Sequence, residues 1–360
     1  MEGKEVIVLS SEQGDFKIPD HAKKQVTKIE TVDVYNYDQV LASIQNLSMF
    51  YDIEVIIPGF EFMVPTVAKV SEELGLRGIG AKTAEVFTNK YEMKKHLRSV
   101  GVSVSKSAMV DINTYINGKV PIGTAVAGMD FPLVVKPVDM SASIGVQKIH
   151  SHKELAAYFE EMNLEDGVIA GKGATNFVVE EYLDGPEISV EGFVAPEGDI
   201  NHTSITRKLL GAEPSFHETG HIVSPSNFEK DQDAIQAYVA DVVKGLGLPF
   251  GPFHAEIRLT SNKGPQLIEI AARLGGDMIA DLVALAGGSS HHDLAVKSYL
   301  QMPYKVEQVK EHVAVAFLSL PSGSTVPLLE NILSLDEPNV VAFFHLKDAG
   351  EIINRRGNFG

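Results

Sequence analysis

The chain has 360 residues, 44% hydrophobic and 22% charged, with no cysteine and no tryptophan. That length sets a prior of two or three domains with a real core, and the composition is that of a globular protein, not a disordered, collagenous or disulfide-stapled one. With 31 basic and 48 acidic residues the formal charge is -17, which argues against a nucleic-acid or anionic-membrane partner, while the missing cysteine removes thiolate metal sites and cysteine nucleophiles.

In chain order, MEGKEVIVLS carries an apolar run too short for a secretory signal, and no segment approaches about 18 consecutive apolar residues, so a cytoplasmic location is expected. Residues 5–9, 29–34 and 54–57 are β-branched runs with helix-like stretches between them, which predicts an α/β layer. The third breaks at Pro58-Gly59-Phe60-Glu61, placing the Glu61 carboxylate at a strand's C-terminal end, where open α/β sheets expose ligands. A helix is predicted over 64–76, and Gly78-Ile79-Gly80 closes a first domain, 1–83. A linker helix is expected over 84–102, stopped by Gly101. A second unit, 103–188, has strands at 133–136, 145–149 and 177–181 and a helix opened by the capping box Ser151-His152-Lys153-Glu154. The third, 189–360, has an amphipathic helix near 231–244 and then a hairpin.

That hairpin, FHAEIRLTSNKGPQLIEIAAR, is the most informative stretch. Phe253, Ala255 and Ile257 alternate with His254, Glu256 and Arg258; beyond the turn, Ile268 and Ile270 are assigned to the core and Glu269, Ala271 and Arg273 to the opposite face. A turn centred between Asn262 and Lys263 sets Glu256 directly across from Glu269, with Cβ atoms about 5 Å apart. Two bare carboxylates there repel, and a divalent cation removes the penalty; oxygen donors favour magnesium, with manganese as the alternative. The same alternation also describes a hydrated sheet face with no chemical role. Arg273, at the end of the strand, can grip an anionic substrate or a transferring phosphoryl group.

Lys136 ends the apolar strand FPLVVKP, and the small-residue connection Ser141-Ala142-Ser143-Ile144-Gly145 follows, which lets backbone amides approach phosphate oxygens. No GxxxxGK[ST] motif occurs, and an ordinary hairpin with a surface lysine reads the same way. The run Val178-Val179-Glu180-Glu181-Tyr182-Leu183-Asp184-Gly185-Pro186-Glu187 leads from strand to turn to strand and can offer backbone groups and carboxylates to a purine and a ribose; solvated ladder strands are the bland alternative, as a helix-surface lysine is for Lys90.

In order, Lys90, VVKP with Lys136, the SASIG loop, VEEYLDGPE, Glu256 and LIEIAARLGGD resemble the ATP-grasp superfamily of carboxylate–amine ligases, most closely its L-amino acid ligase branch. The resemblance covers nearly the whole chain. It implies an α/β fold class with an α+β clamp: an ATP-grasp fold behind a Rossmann-like N-terminal domain, in which 84–102 links to the small domain 103–188 and the large domain 189–360 carries the metal and acyl-phosphate site. It implies that Lys90 and Lys136 contact the nucleotide phosphates, that the loop with Ser141, Ser143 and Gly145 covers them, that Glu180 meets the adenine edge, that Glu181, Tyr182 and Leu183 complete the hinge, and that Glu187 holds ribose. Glu256 and Glu269 are similar to the family's magnesium ligands, Arg273 to the arginine on the transferring phosphate, and Gly276 lies in the run that borders substrate. FHETGHIVSP resembles the ligase branch's substrate-side segment, giving His221 a catalytic or substrate-facing role, with a surface histidine as the alternative; Lys208 adds charge near the phosphates. Many relatives have asparagine where Ala271 stands, so water or nucleotide oxygen must complete the metal's coordination.

The activity implied is ATP-dependent amide formation: phosphorylation of an amino acid carboxylate makes an acyl phosphate, which an amine, here a second L-amino acid, displaces. Charge neutralisation and placement carry such a reaction, with no protein nucleophile. Partners are then small-molecule carboxylates and amines, with no nucleic acid or membrane and with a homo-oligomer allowed. A different amine or a carrier-protein thiol as acceptor is one alternative, and a non-catalytic nucleotide-binding regulatory module another; the acidity of the chain weighs against a large acidic carrier.

Overall fold

A computed structural model describes the chain apart from residues 1–2, 12–17, 19, 117–120, 141–144, 162–174, 214–215, 319, 321–322, 329–339, 341–348 and 353–360. The chain divides into two compact units, Met1–Ser105 with Leu183–Arg207 and Ile222–Ala314, and Lys106–Tyr182 with Lys208–His221 and Val315–Gly360.

The first unit opens with β1 (Ile7–Ser10), α1 (Asp20–Lys23) and β2 (Lys28–Thr31), the two strands pairing in parallel. Next comes α2 (Tyr37–Leu47), capped by the Asn36 side chain, which accepts from the Gln39 N–H. Val40 and Ile44 of this helix and Val70 of α3 (Val64–Glu73) form a small core. The run at 54–57 is not a strand: it makes only the isolated parallel bridge Val55–Arg77, since Pro58 lacks the N–H a ladder needs.

The expected single helix over 84–102 is two helices, α4 (Ala81–Thr88) and α5 (Lys90–Ser99). Asn89 between them is extended, and its side chain accepts from the N–H groups of Tyr91 and Glu92 at 3.1 Å each. That cap starts a new helix and puts Lys90 at its first position. Gly101 ends α5 at φ 84, and the Val102 N–H reaches back to Leu97 O at 3.0 Å, a Schellman-type stop.

The second unit contributes β3 (Ser107–Asp111), α6 (Ile112–Ile116), β4 (Leu133–Pro137), β5 (Gln147–Ile149), α7 (His152–Glu161) and β6 (Asn176–Glu181). Its antiparallel sheet has the order β3-β6-β4-β5, and Leu133, Val135, Phe177 and Val179 pack with Leu155 and Phe159 of α7. The capping box is present: the Glu154 N–H donates to Ser151 Oγ, and the Glu154 carboxylate accepts from His150 N–H.

The remaining elements are β7 (Glu187–Val194), β8 (Ile200–Leu210), β9 (Glu218–Val223), α8 (Gln232–Leu246), β10 (Gly251–Thr260), β11 (Gly264–Ala271), α9 (Ile279–Leu285), α10 (His291–Tyr299) and β12 (Val313–Ala316). The larger sheet runs β11-β10-β7-β8-β9-β12. In the first unit Ile188, Val190, Phe253, Ala255, Ile257, Leu267 and Ile270 join Ile235, Val239 and Val242 of α8 in the main core.

The β10–β11 register does place Glu256 opposite Glu269, but by a different route from the one expected. The turn holds three residues, Ser261 to Lys263, and closes on Gly264 at φ 68, a glycine position in hairpin loops of this length. That shifts the ladder by one, and a bulge at Ile268 shifts it back: Ile257 pairs with Leu267 and Glu256 with Glu269. Ile268 is therefore not a core residue; Leu267, fully buried, takes that place, and its N–H donates to the Tyr238 hydroxyl of α8 at 2.9 Å.

Candidate active site

Within the first unit, antiparallel pairing lays out a grid on one face of three strands. Glu256 of β10 lies between Ser189 of β7 and Glu269 of β11, and His254 between Glu191 and Ala271. Lys90, at the head of α5, sets its Nζ 2.9 Å from Glu269 Oε2, with the two side chains only 12% and 22% exposed. Burial would lower the ammonium's pKa, but Glu269, with Glu61 and Glu256, outweighs burial and raises it, so Lys90 is a cation. Arg273, two residues beyond β11, donates from Nε to Glu61 Oε2 at 2.5 Å and from a terminal nitrogen to Leu274 O at 2.6 Å. Burial opposes its charge and Glu61 overrides that too.

The sequence-predicted residues Glu61, Lys90, Glu256, Glu269 and Arg273 are thus gathered in one unit, and the hydrated-face alternative fails: His254 and Arg258 are buried and the Glu256 side chain is 17% exposed. Two opposed carboxylates, one already against a cation, form a hard oxygen donor set that fits magnesium or manganese. Gly276 is exposed in the turn after Arg273, and Asp277 and Met278 behind it take left-handed φ values of 52° and 66°. Leu183 belongs to this unit, where the side chain of Glu187 is held by Arg258, whose Nε and a terminal nitrogen both approach Glu187 Oε2 at 3.0 Å. Arg258 also donates to Gly185 O at 2.8 Å, so Glu187 carries a structural ion pair that the expected ribose role did not foresee.

Within the second unit, Lys136 of β4 and Glu180 of β6 are both buried, Lys136 Nζ standing 3.4 Å from Glu180 Oε2. The Lys136 of the surface-lysine alternative is therefore ruled out. Glu181 accepts from the Lys106 N–H at 3.0 Å. Tyr182 donates to Glu213 at 2.9 Å and lies under Lys148 Nζ, 3.8 Å from the ring centroid. Lys208, fully within the fold, approaches Glu218 Oε1 at 2.6 Å, and the other oxygen of Glu218 lies 3.0 Å from Nε2 of His221. His221 is buried and edge-on to Phe317, so it is not a surface histidine. Gly145 takes φ 65 and its carbonyl accepts from the Tyr158 hydroxyl at 2.6 Å; Ser141 and Ser143 lie outside the described residues.

A family profile described as an ATP-grasp domain matches residues 129–281. The chain is 28% identical over 268 residues to alanine–anticapsin ligase of Bacillus subtilis strain 168, covering 69% of this chain and 55% of that protein. It is 28% identical over 248 residues to dapdiamide A synthase of Enterobacter agglomerans, covering 67% and 54%. The chain thus spans little more than half the length of these curated relatives. Among solved structures, the L-amino acid ligase from Bacillus licheniformis superposes with a TM-score of 0.79 at 22% identity, over 99% of this chain and 85% of that one, which establishes the ATP-grasp fold for the chain.

Sequence reasoning missed two buried groups in this chain. Glu191 accepts from Ser189 Oγ at 2.7 Å and pairs with His254 Nδ1 at 2.9 Å. Burial would lower the His254 pKa, but Glu191 and then Glu256 push it up to about 10; burial would raise the Glu191 pKa, but His254 and the Ser189 hydroxyl hold it below the usual carboxylate range. The signal available was the alternation itself: His254 and Glu256 at i and i+2 share a face, as do Ser189 and Glu191. No helix among the described residues is long and apolar enough to cross a membrane.

Proposed function

We propose that the chain is an ATP-dependent carboxylate–amine ligase that joins two L-amino acids, releasing ADP and phosphate. The observation that carries this reading is the opposition of Glu256 and Glu269 on one sheet face, with Lys90 on Glu269 and the Glu61–Arg273 pair in the same unit. The activities for which alanine–anticapsin ligase and the L-amino acid ligase are named support it.

In the proposed reaction an oxygen of the substrate carboxylate attacks the γ-phosphorus of ATP, the bond to ADP breaks, and an acyl phosphate forms. The second amino acid's nitrogen, having lost a proton, then attacks the acyl carbon, and phosphate leaves with the bonding pair. Lys136 and Lys208 neutralise nucleotide phosphates, aided by Lys90 once it leaves Glu269, and the loop holding Ser141, Ser143 and Gly145 excludes water from the acyl phosphate. Glu180, with the backbone of Glu181, Tyr182 and Leu183, receives adenine, and Glu187 faces ribose from its Arg258 pair. Arg273 grips the carboxylate or acyl phosphate, Glu61 exchanges Arg273 for the substrate ammonium, and His221 and Gly276 border the amino acids. A magnesium or manganese ion on Glu256 and Glu269 would supply charge neutralisation to the phosphates. The N-terminal domain 1–83, linker 84–102, small domain 103–188 and large domain 189–360 are the proposed working parts, and the cytoplasm, which supplies ATP and free amino acids, the proposed location.

The test is isotope transfer. With the amino acid carboxylate labelled with oxygen-18, the acyl phosphate route delivers one labelled oxygen to inorganic phosphate. Label in AMP, or amide without labelled phosphate, would overturn the mechanism; ATP binding with no amide from any amine would favour a regulatory module.

A further inference from the structure

The polar face of β7 and β10 holds a buried hydrogen-bonded pair that the proposed chemistry does not use. Register sets His254 across from Glu191 and Glu256 across from Ser189. The four side chains form a line: Ser189 Oγ donates to Glu191 Oε1 at 2.7 Å, Glu191 Oε1 meets His254 Nδ1 at 2.9 Å, and His254 Nε2 stands 3.4 Å from Glu256 Oε1. Ser189 is fully buried, Glu191 1% exposed and His254 6%. Burying polar side chains costs desolvation that apolar side chains of like volume avoid, so packing alone does not account for it.

Two features tie the pair to the site. Along β10 it ends on Glu256, one of the two opposed carboxylates. Across it lies the turn that follows Arg273: a Cβ on Gly275 would stand 3.0 Å from both Glu191 Oε2 and His254 Nδ1, so the turn rests directly on the pair and a larger residue would lift it away. A carboxylate on a flexible two-carbon stem has several rotamers, and a fixed imidazole beside one oxygen selects among them. Partners of this kind behind a metal ligand commonly govern metal affinity.

We infer that Glu191 and His254 are positioning residues that fix the Glu256 carboxylate for a divalent cation and seat the Leu274–Gly276 turn behind Arg273. The inference rests on the metal reading of Glu256 and Glu269.

Electron paramagnetic resonance of Mn2+ titrated into the full chain with ADP tests it, alongside thermal melting and the metal concentration for half-maximal turnover. Glu191→Gln and His254→Asn should each weaken Mn2+ binding about 10-fold or more, and raise the half-maximal metal concentration in step, with kcat restored in good part at saturating metal. Variants that melt earlier yet bind Mn2+ as tightly as wild type would show a purely structural pair and overturn the inference. Should both variants fail to fold, Ser189→Ala takes their place: losing one hydrogen bond to Glu191 should weaken Mn2+ about fivefold, and unchanged binding would overturn the inference as well. Wild-type protein that holds no Mn2+ with ADP would instead overturn the metal reading beneath it.

Discussion

Glu269→Gln removes a charge at nearly constant volume, and its effect on stability follows from two opposing pairs. Lys90 Nζ lies 2.9 Å from Glu269 Oε2, worth about 6 kcal/mol at an effective dielectric constant of about 20. The opposed Glu256, whose Cβ stands about 5 Å away across the ladder, repels Glu269 by about 3 kcal/mol with the carboxylates at that same spacing. The variant loses the attraction and is relieved of the repulsion, for a net loss of about 3 kcal/mol, reduced to about 2 kcal/mol by the solvent reaching both side chains. Urea unfolding without ligand measures this directly. Repeating it with Mg–ADP separates structure from site: wild type should gain about 2.7 kcal/mol at one hundred times its dissociation constant, and the variant should gain little. Glu269→Gln protein as stable as wild type, or equally stabilised by Mg–ADP, would refute the reasoning.

Three other perturbations reach the scaffold. Gly185→Ala puts a Cβ 2.0 Å from Leu259 O at a φ of +84°, and should destabilise by at least about 2 kcal/mol, loosening the Arg258–Glu187 pair beside it; a thermal melt unchanged from wild type would contradict that packing. Tyr238→Phe strands the Leu267 N–H at the β11 bulge and frees Ser103 O, which accepts from the same hydroxyl at 2.7 Å; a loss of about 1–3 kcal/mol is expected in urea unfolding, and none would mean that the bulge is held otherwise. Burial lowers the His291 pKa to about 4, against a smaller pull upward from Glu191. The unfolded chain, titrating near 6.5, then binds the proton first as pH falls, so stability is whole above about pH 6.5 and drops by about 2 kcal/mol by pH 5. His291→Phe should flatten that slope, and an unchanged slope would count against the burial argument.

The parts most legible in the sequence were those set by local periodicity and capping. Alternation along 253–260 put Phe253, Ala255 and Ile257 in the core, and Ser151 with Glu154 opened α7. The Glu256–Glu269 pair was reached although the turn length and the bulge at Ile268 were both missed, because the two one-residue shifts cancel. Asn89 with Glu92 three positions on was a readable cap, and overlooking it merged α4 and α5. Partners brought together by long-range folding were not legible: Glu61 with Arg273 is a contact across 212 positions, Glu187 with Arg258 across 71 and Glu191 with His254 across 63. Alternation marks the face on which Glu191 and His254 lie but not their pairing, and nothing local marks the other two pairs, since each residue alone looks like a solvated charge.

The most direct test of the central claim is product analysis. Purified protein incubated with magnesium, ATP and pooled L-amino acids should yield ADP, phosphate and a new mass equal to two amino acids less one water, all abolished by Glu256→Gln with Glu269→Gln. An amide to a non-amino-acid amine, or a thioester to a carrier, would contradict the substrate assignment, and undiminished turnover in the double variant would contradict the site.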